Sequence, residues 1–246
     1  MTLLLATALF LPLYPFSILP NWLLARLVNP VARFLFLLLW PQIGIILLSL
    51  ASQKITQGMV VWALLSSMFY ALRLLTVRDL GLWAGFAFSS ALALTWGLAG
   101  HGSMFEMQIF VIAFSLPVAL LALLTRPLIE RFGAAFAGLH CGLASSLPRL
   151  SGVLVFTMLA VIATPPAPGF FVMLGLLNRL DWPIASGVLV IWLLWGWSAT
   201  RLIQGFISGD DRAENVMDIG KATTVLYTGL MGVFIVAGLY LTGGVL

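Results

Sequence analysis

Phe34-Leu35-Phe36-Leu37-Leu38-Leu39 is apolar on every face it could present. A strand in a membrane barrel alternates apolar and polar residues with a period of two, so this run excludes a barrel wall and reads as helix inside hydrocarbon. Working outward, the apolar window runs from 31 to 52, close to the roughly 20 residues that carry a helix across a bilayer core. The same pattern recurs along the chain, bounded each time by charge, Pro or Gly. It predicts spans near 2 to 24, 31 to 52, 57 to 77, 80 to 100, 105 to 125, 150 to 177, 183 to 207 and 222 to 242, in one membrane domain covering 1 to 246. The expected fold class is all-α, a polytopic integral membrane helix bundle of eight transmembrane helices.

Composition agrees. Of 246 residues, 62% are apolar and only 8% charged, and the mean hydropathy is +1.12. A soluble domain carries about 25% charged residues, so this chain cannot cover a globule with polar surface. The net charge of +4 does not indicate nucleic acid, because the basic residues stand singly between spans, whereas a nucleic-acid face needs them clustered. Cys141 is the only cysteine, which excludes an internal disulfide and a thiolate metal cluster. The N-terminus is apolar at once, with no basic segment or cleavage site of a signal peptide, so Met1 is expected to begin the mature protein.

Thr164-Pro165-Pro166-Ala167-Pro168-Gly169 falls in the middle of the sixth span. Proline lacks a backbone donor and clashes with the preceding turn, so a smooth helix is not expected. Pro165, Pro166, Pro168 and Gly169 mark a helix break, or else separate two short passes and raise the number of spans to nine. Lys and Arg in short loops favour the cytoplasm. With eight spans, one side collects Arg26, Arg33, Arg73, Arg78, Arg126, Arg131, Arg149, Arg201, Arg212 and Lys221, against Lys54 and Arg179 on the other. With nine, the bias has the same sign and the C-terminus changes sides. The expected location is the bacterial inner membrane.

The longest polar stretches, Thr125 to Pro148 and Ser208 to Lys221, are too short for a soluble catalytic domain. Ionisable residues within spans are costly and therefore candidates for function. They are Arg73, near the end of its span, and Glu106, which opens the fifth span after His101-Gly102-Ser103. His101 and His140 have no second ligand at a metal-binding spacing, and no serine has a base at a recognisable spacing. No metal site, no cofactor and no enzyme activity are expected. Gly81-Leu82-Trp83-Ala84-Gly85 and the pairs Ser66-Ser67 and Ser89-Ser90 are small-residue patterns for close helix packing. Of the nine tryptophans, Trp192 and Trp195 lie in mid-span and are expected to face lipid or another subunit.

The order of motifs resembles the proton-translocating, antiporter-like membrane subunits of respiratory complex I, related hydrogenases, cation/proton antiporters and inorganic-carbon uptake complexes. Leu13-Tyr14-Pro15-Phe16-Ser17-Ile18-Leu19-Pro20 is similar to that family's Pro-rich segment before its first broken helix, and Leu38-Leu39-Trp40-Pro41-Gln42-Ile43-Gly44 to its leucine run ending in lysine, an apolar residue and glycine. Arg78-Asp79-Leu80 resembles a charged turn, and Gly142-Leu143-Ala144-Ser145-Ser146-Leu147-Pro148 a Gly-Leu, polar, apolar, Pro signature. Thr164 to Phe171 resembles the second helix break.

The resemblance implies a mid-membrane row of lysines, histidines and a glutamate that relays protons. At the matching positions this chain carries Gln42 and Gly81 in place of lysines. Phe110, Phe114 and Val118 stand where a His-rich helix would be, and Met173 or Leu174 takes the charged position after the second break. The expectation is an accessory subunit that does not itself conduct protons. Its partners would be a larger antiporter-like membrane subunit, a soluble redox or zinc-containing subunit and the lipid bilayer, with no nucleic acid. The competing expectation is a working half-channel in which Arg73, Glu106 and His101 supply an ion path, for instance in a proton-coupled inorganic-carbon uptake complex.

Overall fold

The computed structural model describes residues 2–51, 55–100, 102–139, 142–209 and 217–242. They fold into α1 (Thr2–Phe10), α2 (Ile18–Arg26), α3 (Pro30–Leu50), α4 (Gln57–Leu74), α5 (Leu80–Ala93), α6 (Thr95–Leu98), α7 (Met104–Phe132), α8 (Leu143–Ser146), α9 (Pro148–Val161), α10 (Pro168–Leu177), α11 (Trp182–Ile207) and α12 (Lys221–Thr242). Helices α3, α4, α5 with α6, α7, α11 and α12 are each long and apolar enough to cross a membrane. The bundle is all-helical, as the sequence predicts.

The remaining crossings are broken. The first span, expected from 2 to 24 as one helix, is two helices of nine residues each, about 14 Å apiece at 1.5 Å per residue. The sixth is likewise divided into α9 and α10, of 14 and 10 residues. Neither half reaches across a hydrocarbon core of about 30 Å. The ends of the second pair fix how it crosses. Arg149, at the start of α9, donates its backbone N–H to Asp218 at 2.8 Å, on the side where Arg201 reaches the carbonyl of Val77. Arg179, just beyond α10, is ion-paired with Glu106 at the other end of α7. So α9 and α10 together run from one end of the bundle to the other, and among the described residues they and the α1–α2 pair stand beside six helices long and apolar enough to cross a membrane.

Helix α7 overruns its expected end at 125 and continues to Phe132, although Pro117 and Pro127 lie inside it. Gly133 then ends it in the left-handed region (φ 78°), with its N–H on the carbonyl of Ile129, a conformation that glycine adopts without steric cost. The stretch from 125 to 148 is therefore partly helix, and residues 135–138 beyond it bond to neighbouring segments of the bundle. Leu80 N–H donates to Ala135, Ala137 N–H to Arg78, and Gly138 N–H to Gly205.

Two helices make the centre. In the most apolar 18 residues of each helix, about four-fifths of the α5–α6 crossing and 72% of α7 are buried, against 22% for α3 and 17% for α12, so the latter two lie on the outside of the bundle. The core side chains include Trp83, Trp96, Trp195, Phe110 and Phe114, all nearly or fully buried. Small residues set the closest approaches. A Cβ at Gly44 of α3 would stand 2.8 Å from Leu11 Cγ, at the end of α1. One at Gly238 of α12 would stand 2.1 Å from the ring of Pro168, the first residue of α10. The small-residue pattern of α5 serves the chain itself, since Gly85 abuts Asn21 and Leu24 of α2.

Gly238→Ala is predicted to push α12 off the proline ring and to lower stability by about 1–3 kcal/mol, the usual range for overpacking. Gly196→Ala, where the new Cβ meets nothing within 4 Å, should leave it unchanged. Thermal melts of the two variants in mild detergent make the comparison.

Candidate functional site

A helix break frees backbone carbonyls, and in transporters such carbonyls are the groups that meet ions. In this chain the prolines determine which carbonyls are freed. Pro15 lacks the N–H that would serve Leu11 O four residues earlier, and Pro166 lacks the one that would serve Ile162 O. Both carbonyls are bonded by indoles. Trp96 Nε1 donates to Leu11 O at 3.1 Å, and Trp192 Nε1 donates to Ile162 O at 2.9 Å. The first break carries two more such bonds, from Trp40 to Leu9 O at 3.3 Å and from Trp62 to Tyr14 O at 2.8 Å. Both breaks contain a cis X-Pro bond, Tyr14-Pro15 and Pro165-Pro166.

The side chains around the breaks are short hydroxyls and aromatics. Ser66 Oγ accepts the N–H of Tyr14 at 3.0 Å, Ser17 and Tyr70 share a hydrogen bond, and the amide of Asn21 donates to Ser89 Oγ at 2.8 Å. Between α4 and α5, Ser67 and Ser90 each donate to the other's carbonyl at 2.8 Å, and Trp195 Nε1 donates to Ser90 Oγ at 2.9 Å. Trp83 Nε1 donates to Ser198 Oγ at 3.2 Å. The paired serines thus join α4 to α5, and the two indoles join α5 to α11. Trp195 is buried and Trp192 half-buried, which corrects the expectation that both face outward. The outward tryptophans of α11 are Trp182 at its start, 77% exposed, and Trp197, 71% exposed.

The relay positions are packed, and the packing is apolar. Phe110, Phe114, Val118 and Met173 are fully buried, with Phe114 stacked between Phe110 at 5.0 Å and Trp195 at 5.7 Å. Gln42 is half-buried in α3, Leu174 half-buried in α10, and Gly81 lies beside Asp79 and Arg33 at one end of the bundle. Gly169 sits with its Cα against Ala163, where a Cβ would meet that side chain at 3.0 Å. Among the described residues, every fully buried polar side chain is a serine or a threonine.

The two ionisable candidates are separated. Glu106 accepts two hydrogen bonds from Arg179, at 2.5 and 2.7 Å, and closes a capping box with Ser103 at the start of α7. Arg179, in the turn between α10 and α11, has its pKa raised by that carboxylate, which keeps it a fixed cation. Arg73 is exposed in the last turn of α4, with its guanidinium over the ring of Phe86 at 5.6 Å. The segment after α4 bonds to the residues that follow α7, the full length of a 29-residue helix from Glu106, about 40 Å at 1.5 Å per residue. Arg73 and Glu106 therefore lie at opposite ends of the bundle. His101, His140, Cys141 and Lys54 lie outside the described residues. Reading the sequence missed Arg179 as the partner of Glu106 and the indoles as partners of the breaks.

Comparison with known proteins places this architecture. A chain of respiratory complex I from Thermus thermophilus, in a structure with bound NADH, matches with a TM-score of 0.77 at 19% identity, over 99% of this chain and 55% of that one. A chain of the Mrp complex from Dietzia sp. DQ12-45-1b matches with a TM-score of 0.81 at 16% identity, over 98% and 56%. The chain thus spans about half the length of these solved relatives. A protein of Aquifex aeolicus (strain VF5), described as uncharacterized, is 23% identical over 239 residues, covering 90% of this chain and 95% of its own. No protein-family model matches. At these identities the likeness is one of fold, and the chain has the fold of antiporter-like membrane subunits, as its motifs indicate.

Removing only the indole donor tests the caps. Trp96→Phe and Trp192→Phe each leave a carbonyl without its partner, at an expected cost of about 1–3 kcal/mol. Trp197→Phe, on the exposed face, should cost less than about 0.5 kcal/mol. Detergent unfolding of the three variants orders them.

Proposed function

We propose that this protein is an accessory membrane subunit of an ion-coupled multisubunit complex, with the shape of an antiporter-like subunit and no proton conduction of its own. The observation that carries the reading is the filling of the two helix breaks and of the relay positions between them. An ion path needs titratable groups in a wet, buried line. Here the freed carbonyls of Leu11 and Ile162 are taken by indoles, and the line is occupied by Phe110, Phe114, Val118 and Met173. An indole N–H can donate but cannot accept, so a hydrogen-bond chain that reaches one, as Ser67 and Ser90 reach Trp195, ends there as a proton route.

Such a subunit would pack beside a larger antiporter-like membrane subunit in the bacterial inner membrane, with a soluble redox or zinc-containing subunit in the same assembly. The glycines of α5 are spent within the chain, Gly85 against α2 and Gly81 beside Asp79, Arg33 and Thr125, which leaves the outer faces of α3, α11 and α12 as the surfaces for a membrane partner. The fold similarity to chains of complex I and the Mrp complex supports the assembly. The competing reading, a half-channel through Arg73 and Glu106 in a proton-coupled inorganic-carbon uptake complex, has to carry protons between two groups at opposite ends of the bundle with help from a partner.

Proteoliposomes containing the purified chain and an internal pH dye test the proposal. No proton flux above that of empty vesicles is expected, and flux at the rate of a full-length antiporter-like subunit would end it. In the assembled complex, Glu106→Gln and Arg73→Ala should leave coupled activity unchanged. Glu106→Gln should still lower thermal stability, because it removes the ion pair with Arg179.

A further inference from the structure

The turn between α2 and α3 and the outer surface of α7 enclose a groove of 600 Å³, lined by Val28, Asn29, Arg33, Thr125, Arg126 and Ile129 among others. Arg33 also borders a second cleft of 240 Å³ reaching Asn21 and Asp79. It is half-buried, and among the described residues its hydrogen bond goes from Nε to the carbonyl of Leu24 at 3.2 Å. That leaves the two Nη groups without a bonded acceptor there. A guanidinium presents five donors, and taking it out of water without acceptors is costly. Arg126 lies on the same groove with Nε on Glu130 at 2.5 Å, and its Nη groups are likewise unbonded among the described residues.

The other polar groups nearby are engaged through at least one atom, and the Asp79 carboxylate, on the second cleft, also acts on Arg33 through its charge. Asp79 Oδ1 caps α5 through Leu82 N–H, Thr125 Oγ1 donates to Ala122 O, and Asn29 Oδ1 accepts from Val31 N–H. The walls are apolar and open outward, with Val28 93% and Ile129 46% exposed. Two arginines over an apolar surface, at the arginine-rich end of a membrane bundle, match a molecule with an oxyanion at one end and hydrocarbon at the other. Basic pockets between transmembrane helices at the cytoplasmic side take anionic lipid headgroups.

We infer that this groove binds an anionic phospholipid, its phosphate between Arg33 and Arg126 and its acyl chains along Val28 and Ile129. The lipid would fill the space between α2–α3 and α7 and supply the acceptors that Arg33 lacks. The inference does not depend on whether the chain conducts protons.

The test uses the full chain purified from vesicles of mixed phosphatidylglycerol and phosphatidylcholine, with native mass spectrometry to count retained lipid. Phosphatidylglycerol should be retained selectively and should raise the melting temperature, while phosphatidylcholine and inorganic phosphate should not. Arg33→Gln and Arg126→Gln should each cut phosphatidylglycerol retention about fivefold, equivalent to about 1 kcal/mol per arginine near an anionic surface. Arg26→Gln, whose guanidinium stacks on Trp22 outside the groove, should retain it as the unsubstituted protein does. If Arg33→Gln fails to fold, the exposed Arg126→Gln carries the comparison. Equal retention of the two lipids, or retention unaffected by Arg126→Gln, would overturn the inference, and stabilisation by inorganic phosphate alone would overturn the lipid as its source.

Discussion

Hydrocarbon offers backbone groups no water, so each N–H and C=O at membrane depth must find a partner within the protein. A proline inside a span violates this locally, since the carbonyl four residues before it has no donor to meet. Several prolines of this chain raise that need, and at the two breaks the carbonyls of Leu11 and Ile162 are met by side chains from other helices. Trp96 reaches Leu11 from the α5–α6 crossing, and Trp192 reaches Ile162 from α11. The abundance of tryptophan follows from this. Six of the nine indoles donate to a carbonyl or a serine inside the bundle, and four of those serve the breaks.

The same solution bears on ions. A transporter leaves its break carbonyls to be satisfied by a passing cation or by water, which makes the break a site. Here the acceptors are occupied by groups that cannot leave, attached to helices that cannot withdraw without opening the core. Phe114 against Trp195 and Met173 within α10 complete a closely packed apolar centre. The chain keeps the fold of its complex I and Mrp structural neighbours, with aromatic and apolar side chains at its centre.

Much of this was legible in the sequence. Six of the eight apolar windows coincide with helices long and apolar enough to cross a membrane, because hydropathy over 20 residues is a local property, and the prolines at 165, 166 and 168 located the second break. The first break was masked by the strong hydropathy of Leu3–Leu13 and Ile18–Leu24, which conceals two nine-residue helices within one window. The end of α7 was set too early because Arg126 closes a hydropathy window without ending a helix; Gly133 was the better signal. The freed carbonyls follow from proline positions alone, but their donors do not, since Trp96 lies 85 residues from Leu11 and no local pattern links them. Glu106 and Arg179, 73 residues apart, were unmatched for the same reason. The distance between Arg73 and Glu106 was available all along from the alternation of spans.

The contact of Pro168 with Gly238 has a mechanical meaning. A pyrrolidine ring seated on bare backbone leaves α10 and α12 no freedom to slide, so the second half of the broken crossing is keyed to the last helix like a tenon in its mortise. Asp218 adds a second joint, because the segment leading into α12 holds the first turn of α9 through Arg149 and Leu150. Both halves of the break are thereby anchored to one continuous strut, and a displacement of α12 by any neighbour would be felt on the two sides of residues 162–167 at once.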